Sequence, residues 1–218
     1  MAPLSEAEIP DVMVSARGLC VDFTGRRAVR AVDAVSLDIP RGAITGLTGP
    51  SGCGKSTLAR CLAGWQMPTM GSILRGGPVQ LVMQDPGISL NPRFSAFEVV
   101  EEPLRLAGRS APVPALLERV GLAPAHGRRK SSEFSGGEKA RLAIARAFAA
   151  MPEPGLLILD ESLSGLDPAT REAILGLLRD FARDGAVLLI SHDRKLLDSV
   201  CAAVLVMDQG QIQRETSA

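Results

Sequence analysis

The stretch Gly49-Pro50-Ser51-Gly52-Cys53-Gly54-Lys55-Ser56-Thr57 constrains this chain more than any other. It matches the pattern G-x-x-x-x-G-K-[ST], a loop whose backbone N–H groups converge on phosphate oxygens. That convergence demands small side chains, and the helix that follows presents its N-terminus to the anion. Lys55 supplies a point charge for the β and γ phosphates of a nucleotide, and the Ser56 hydroxyl can ligate Mg²⁺. The pattern needs a strand before it and a helix after it. Residues 43–48 form a short, mostly apolar run of strand length, and residues 55–63 read as helix, so both flanks are present. A Gly-rich turn carrying a surface lysine would require neither.

The rest of the chain reads as the α/β fold such a loop belongs to. With 218 residues, 46% of them hydrophobic and 22% charged, it can bury one sizeable core. Residues 1–11 read as a flexible N-terminus and 12–218 as a single domain. Residues 12–23 read as strand, and 32–39 alternate apolar and polar as a half-buried strand does. Pro40-Arg41-Gly42 reads as a turn, and two more strands are expected near 72–74 and 79–84. Between about 85 and 150 the prolines and the helical spacing point to a helical sub-lobe, with Leu116, Leu117, Val120 and Leu122 on one short amphipathic helix. Residues 137–150 have helical spacing and high Ala, Arg and Leu content. Asp167-Pro168 starts a helix that Gly185 ends, 186–190 is a buried strand, and 204–207 leads into a hairpin turn.

Composition narrows the function classes. Lys plus Arg and Asp plus Glu are 24 each, so the chain carries no global bias toward nucleic acid. The basic run Arg128-Arg129-Lys130 reads as a solvated loop. Cys20, Cys53, Cys61 and Cys201 fit neither a metal-ligand spacing nor a disulfide framework, which suits a reduced, intracellular compartment. The N-terminus lacks the basic start and apolar run of a signal peptide. No stretch approaches the roughly 20 apolar residues that cross a bilayer, so a membrane role would need another chain to do the crossing.

A second acidic element follows the phosphate loop. Residues 156–159 are wholly apolar, as strands of a buried parallel sheet are, and they deliver Asp160 and Glu161. Asp160 is placed to hold the water shell of Mg²⁺ opposite Ser56, and Glu161 to polarise an attacking water as general base.

The segment Phe134-Ser135-Gly136-Gly137-Glu138 resembles the signature motif of the ABC ATPases, usually Leu-Ser-Gly-Gly-Gln. Ser135 can cap a helix whose glycine-opened N-terminus faces a phosphate. The resemblance runs from about residue 12 to 213. It implies a P-loop NTPase of ABC ATPase type, with a mostly parallel core sheet, an antiparallel β part at the N-terminus and a helical sub-lobe. It implies ATP and Mg²⁺ as ligands, and a dimer with another ABC ATPase subunit in which Ser135, Gly136, Gly137 and Glu138 act on the partner's ATP. By the same resemblance Gln84 looks like the glutamine that contacts Mg²⁺ or water and senses a transmembrane partner. Asp167, in Ser164-Gly165-Leu166-Asp167, looks like the residue of the loop coupling the two sites. His192 looks like the histidine near the γ-phosphate, and Phe23 is the candidate for stacking on adenine. Phe134, Glu138 and Ser162 depart from the usual Leu, Gln and Pro, and the segment between Gln84 and Ser135 is short.

Gln84-Asp85-Pro86-Gly87-Ile88-Ser89-Leu90-Asn91-Pro92-Arg93 is similar to a run in the ATPases of dipeptide, oligopeptide and nickel importers. That likeness implies an ATPase subunit, identical to or paralogous with its dimer mate, that powers import of peptides, nickel or a metal chelate. Its partners would be transmembrane permease subunits and, indirectly, an extracytoplasmic binding protein, and its place the cytoplasmic face of a bacterial inner membrane. Many members carry a C-terminal extension, whereas this sequence stops shortly after Ile212. The alternatives are a soluble accessory ATPase, such as one of phosphonate breakdown, and a nucleotide-binding regulator. Lys55, Asp160, Glu161 and His192 argue against the last.

Overall fold

The computed structural model describes residues 12–24 and 28–214, so the expected flexible segment 1–11 lies outside the described residues. Two sheets are built from nine strands among these residues. Strand β1 (Val12–Phe23) pairs antiparallel with β2 (Val29–Pro40) on one side and with β4 (Met70–Arg75) on the other. The second sheet runs β5 (Val79–Val82), β6 (Leu156–Asp160), β7 (Ala186–Ile190), β3 (Ile44–Thr48), β8 (Ala203–Asp208), β9 (Gln211–Arg214). Its first five strands are parallel, and β9 closes the edge as an antiparallel hairpin. The hairpin turn puts Gln209 and Gly210 at φ 45° and 82°, the left-handed pair that matches strand twist.

Successive residues of a strand point to opposite faces, and the buried strands sort their apolar residues accordingly. Leu156 and Ile158 of β6 pack into a core shared with Val14, Leu19 and Val35 of the antiparallel sheet. The same core takes Leu58 and Leu62 of helix α1 (Lys55–Leu62). Leu157 and Leu159 face the other way, into a core formed with the helices. Strand β7 sorts likewise, with Leu188 and Ile190 on the first side and Val187 and Leu189 on the second. Burying each such side chain contributes about 1.5–3 kcal/mol.

The helical core belongs to α2 (Pro86–Ser89), α3 (Ala96–Leu106), α4 (Val113–Arg119), α5 (Gly136–Ala150) and α6 (Pro168–Asp184). Helix α3 opens with a capping box between Ser95 and Glu98, and α5 with one between Ser135 and Glu138. Helix α6 is capped by Asp167, whose carboxylate accepts from the Thr170 N–H at 3.0 Å, and Gly185 follows its last turn. A seventh helix, α7 (Arg194–Val200), is capped by Asp193 and adds to the elements expected from the sequence.

Three expectations are corrected in detail. Helix α4 ends at Arg119, so Val120 and Leu122 reach the core from either side of Gly121 (φ 71°) rather than from a helical face. Strand β5 ends at Val82, which leaves Gln84 in a loop. The run Arg128-Arg129-Lys130 is not simply solvated: Arg129 is half-buried and bonded, as described below.

Candidate active site

The loop after β3 threads between two backbones. A Cβ on Gly49 would stand 2.0 Å from the Met207 carbonyl oxygen, and one on Gly54 would stand 2.1 Å from that of Ala31. Both glycines also hold positive φ, 148° and 112°. No other residue type fits there. Lys55 opens α1 and is buried, its Nζ donating to the Gly49 and Pro50 carbonyls at 2.8 and 2.9 Å. Cys53 Sγ lies 3.8 Å from the same ammonium.

Above this loop lies a cavity of about 240 Å³. Its floor is Ser51, Gly52, Gly54, Lys55, Ser56 and Thr57, and its walls are Gln84, Glu161 and Ala31. The cavity lies off the C-terminal ends of the parallel strands, where open α/β sheets bind ligands. Ala31 carries no chemical signal in the sequence; its backbone earns its place by packing on Gly54.

Asp160 ends β6 beneath this cavity and is buried. Burial pushes its carboxyl above the usual carboxylate range, against a hydrogen bond from the Ser56 hydroxyl and the positive charges of Arg60 and Lys55. A buried carboxylate joined to a hydroxyl is an oxygen donor set suited to a hard divalent cation, so these residues fit Mg²⁺.

Glu161 is held on several sides. Its N–H donates to the Ile190 carbonyl at 3.0 Å, and its own carbonyl accepts from the Ser164 hydroxyl at 2.9 Å. Its φ is +49°, a left-handed conformation that a non-glycine residue keeps only where the surroundings impose it. Its carboxylate accepts from Gln84 Nε2 at 3.2 Å and lies 3.6 Å from His192 Nδ1. His192, mostly exposed, shares with Glu161 the wall of a second cavity of about 100 Å³, bordered also by Ser164, Arg171, Ser191 and Asp193. Ser162, where proline is frequent, is buried with no hydrogen-bond partner for its Oγ among the described residues.

The remaining predicted residues do not line the cavity. Phe23 is partly exposed at the end of β1, and Asp167 caps α6. Ser135, Gly136, Gly137 and Glu138 lie at the amino end of α5, where a Cβ on Gly137 would be 3.3 Å from the Gly165 carbonyl. Glu138 accepts from the Ser135 N–H at 2.8 Å, which holds its carboxyl below the usual range. Arg129 reaches this segment three ways. Its guanidinium lies 4.5 Å from the ring centre of buried Phe134, donates to the Glu133 carbonyl at 2.6 Å, and approaches Glu138 Oε1 at 3.6 Å. Only the basic run hinted at Arg129 in the sequence.

Residues 32–164 match the family model described as ABC transporter. The chain is 36% identical over 221 residues to "Probable D,D-dipeptide transport ATP-binding protein DdpF" of Escherichia coli, covering 93% of this chain and 71% of that one. It is 37% identical over 220 residues to "Nickel import ATP-binding protein NikE" of Rhodospirillum rubrum, covering 89% and 79%. Of a Brucella abortus relative named for peptide import it spans 63% of the length. Among solved structures it resembles a dimeric ATP-binding cassette in a post-hydrolysis state bound to ADP and Pi, with a TM-score of 0.83 at 25% identity over 94% of this chain and 98% of that one.

Proposed function

This chain belongs to the ABC transporter family, and on that premise we propose that it binds and hydrolyses ATP to power a membrane importer for peptides, nickel or a metal chelate. The observation that carries the reading is Glu161, pinned in a left-handed turn at the cavity wall with its carboxylate between Gln84 and His192. Relatives named for dipeptide transport and nickel import support the substrate classes.

The phosphates of ATP accept from backbone N–H groups of the loop from Gly49 to Thr57, those of Ser51, Gly52, Cys53 and Gly54 among them. Lys55 exchanges its two carbonyl partners for phosphate oxygens. Ser56, Asp160 and Gln84 would hold Mg²⁺, which when bound would neutralise charge on those oxygens. Glu161 accepts the proton of the attacking water as its oxygen bonds to the γ-phosphorus and the bond to the ADP oxygen breaks. His192 holds the γ-phosphate on the far side, and Phe23 stacks on the adenine. In the dimer, with an identical or paralogous subunit, Ser135, Gly136, Gly137 and Glu138 close on the partner's ATP, and Asp167 links the two sites. Residues 12–218 act as one ATPase domain in which 85–150 form the sub-lobe facing the permease.

No helix among the described residues is long and apolar enough to cross a membrane. In this reading the chain docks on permease subunits at the cytoplasmic face and through them serves a binding protein. Contacts made only in the closed, ATP-bound dimer supply the energy for permease movement. The test is a tagged copy of this chain recovered from its native membranes. Two multispanning subunits and a second ATPase co-purify if the reading is right; a soluble partner without any membrane protein overturns it in favour of an accessory ATPase.

A further inference from the structure

We propose that Arg129 is a positioning residue for hydrolysis: it neutralises Glu138 so that the amino end of α5 can receive the triphosphate of the facing subunit. The inference rests on the reading above, in which that end of α5 meets the partner's ATP.

Phe134 and Glu138 replace the leucine and glutamine usual at these positions, and both touch the same guanidinium. A carboxylate at a surface meant for phosphate opposes binding by like-charge repulsion. Here neither oxygen of that carboxylate is idle. Oε2 accepts from the Ser135 N–H at 2.8 Å, and Oε1 lies 3.6 Å from Arg129. Arg141, one helical turn further along α5, is committed to the Gly121 carbonyl at 2.5 Å. Arg129 is therefore the cation nearest Glu138, with the charge of Arg141 acting from further away. Its orientation is fixed from two sides, by the face of the Phe134 ring and by the Glu133 carbonyl.

The experiment compares turnover of the full chain, purified with the subunits that accompany it, as wild type, Arg129→Gln, and Arg129→Gln with Glu138→Gln. The single variant is expected to lose roughly tenfold in kcat/KM for ATP, the lower end of the coupling between close interfacial charges. The double variant recovers most of that loss, because the uncompensated charge is gone; a purely structural role for Arg129 predicts no recovery. Unchanged turnover in the single variant, or a double variant as slow as the single, overturns the proposal. Arg129→Lys is the second variant in case Arg129→Gln folds poorly. It keeps most of the turnover if charge balance matters, and a full loss contradicts the proposal. Gly137→Asp separates the two levels of inference. If it hydrolyses ATP at the wild-type rate, this motif takes no part in the site and the underlying reading fails. If it abolishes turnover while Arg129→Gln does not, only the charge-balancing role fails.

Discussion

Gln84 Nε2 donates to Glu161 Oε2 at 3.2 Å, joining the loop that leads into the helical segment to the residue best placed to act as base. Withdrawal of Gln84 would leave that oxygen to His192 Nδ1, 3.6 Å away, and change the orientation of the carboxylate. Movement of the loop would thereby reach the Glu161 carboxylate through this one hydrogen bond.

Glu161→Gln keeps the shape of the site and removes the proton acceptor. Phosphate release is expected to fall by about 10²–10⁴-fold, the usual contribution of a positioned base, with ATP still bound. Steady-state turnover alongside a nucleotide titration checks both halves, and wild-type turnover would rule out the base assignment.

Lys55→Ala removes the one buried ammonium at the phosphate loop and leaves the Gly49 and Pro50 carbonyls without it. Charge-assisted hydrogen bonds are worth roughly 1.5–3 kcal/mol, so ATP affinity should drop by about ten- to a hundredfold. Equilibrium titration with ATP reads this directly.

Asp160 sits above its ordinary carboxyl range because of burial. A raised folded pKa means that the neutral form favours folding: this contribution is complete below the ordinary carboxylate range and is lost as pH rises through the raised value. Asp160→Asn should therefore unfold at a higher temperature than the wild type near neutral pH, without nucleotide and in chelator. The advantage should shrink to nothing in acid, while Mg²⁺-dependent hydrolysis is lost at every pH. A stability difference independent of pH would refute the assignment.

Gly54→Ala forces a Cβ to within 2.1 Å of the Ala31 carbonyl oxygen in a backbone with φ 112°. Strain and overpacking together should destabilise the fold by about 3 kcal/mol or more. Urea unfolding measures this without reference to activity.

Arg146 lies in the middle of α5 and donates from Nη1 to the Ser89 carbonyl at 2.6 Å, tying that helix to α2. Arg146→Met preserves the apolar stem and deserts the carbonyl, for a loss of about 1–3 kcal/mol in urea unfolding.

The sequence displays some of these features better than others, for physical reasons. The loop from Gly49 to Thr57 is legible because a converging backbone permits few residue types, and β6 because full burial leaves an unbroken apolar run. The caps of α5 and α6 are legible because Ser135 and Asp167 answer a local need for acceptors. Arg129 and Ala31 are not, since their roles come from tertiary neighbours that no local pattern encodes. Helix α7 is hard to read because it is short, although Asp193 and the spacing of Leu196, Leu197 and Val200 mark it. The departure of β4 to the antiparallel sheet is a matter of pairing, which strand propensity does not decide.

The alternation along β6 also sets the tolerance of the chemistry. A shift of that strand by one residue would carry Asp160 about 3.3 Å along the sheet and turn it to the opposite face. The same shift would drive Leu157 and Leu159 into the layer built for Leu156 and Ile158, so both cores would have to be emptied and refilled at once. The distance between a carboxylate and a phosphate loop over a hundred residues away along the chain is thus regulated by greasy side chains that never meet a nucleotide.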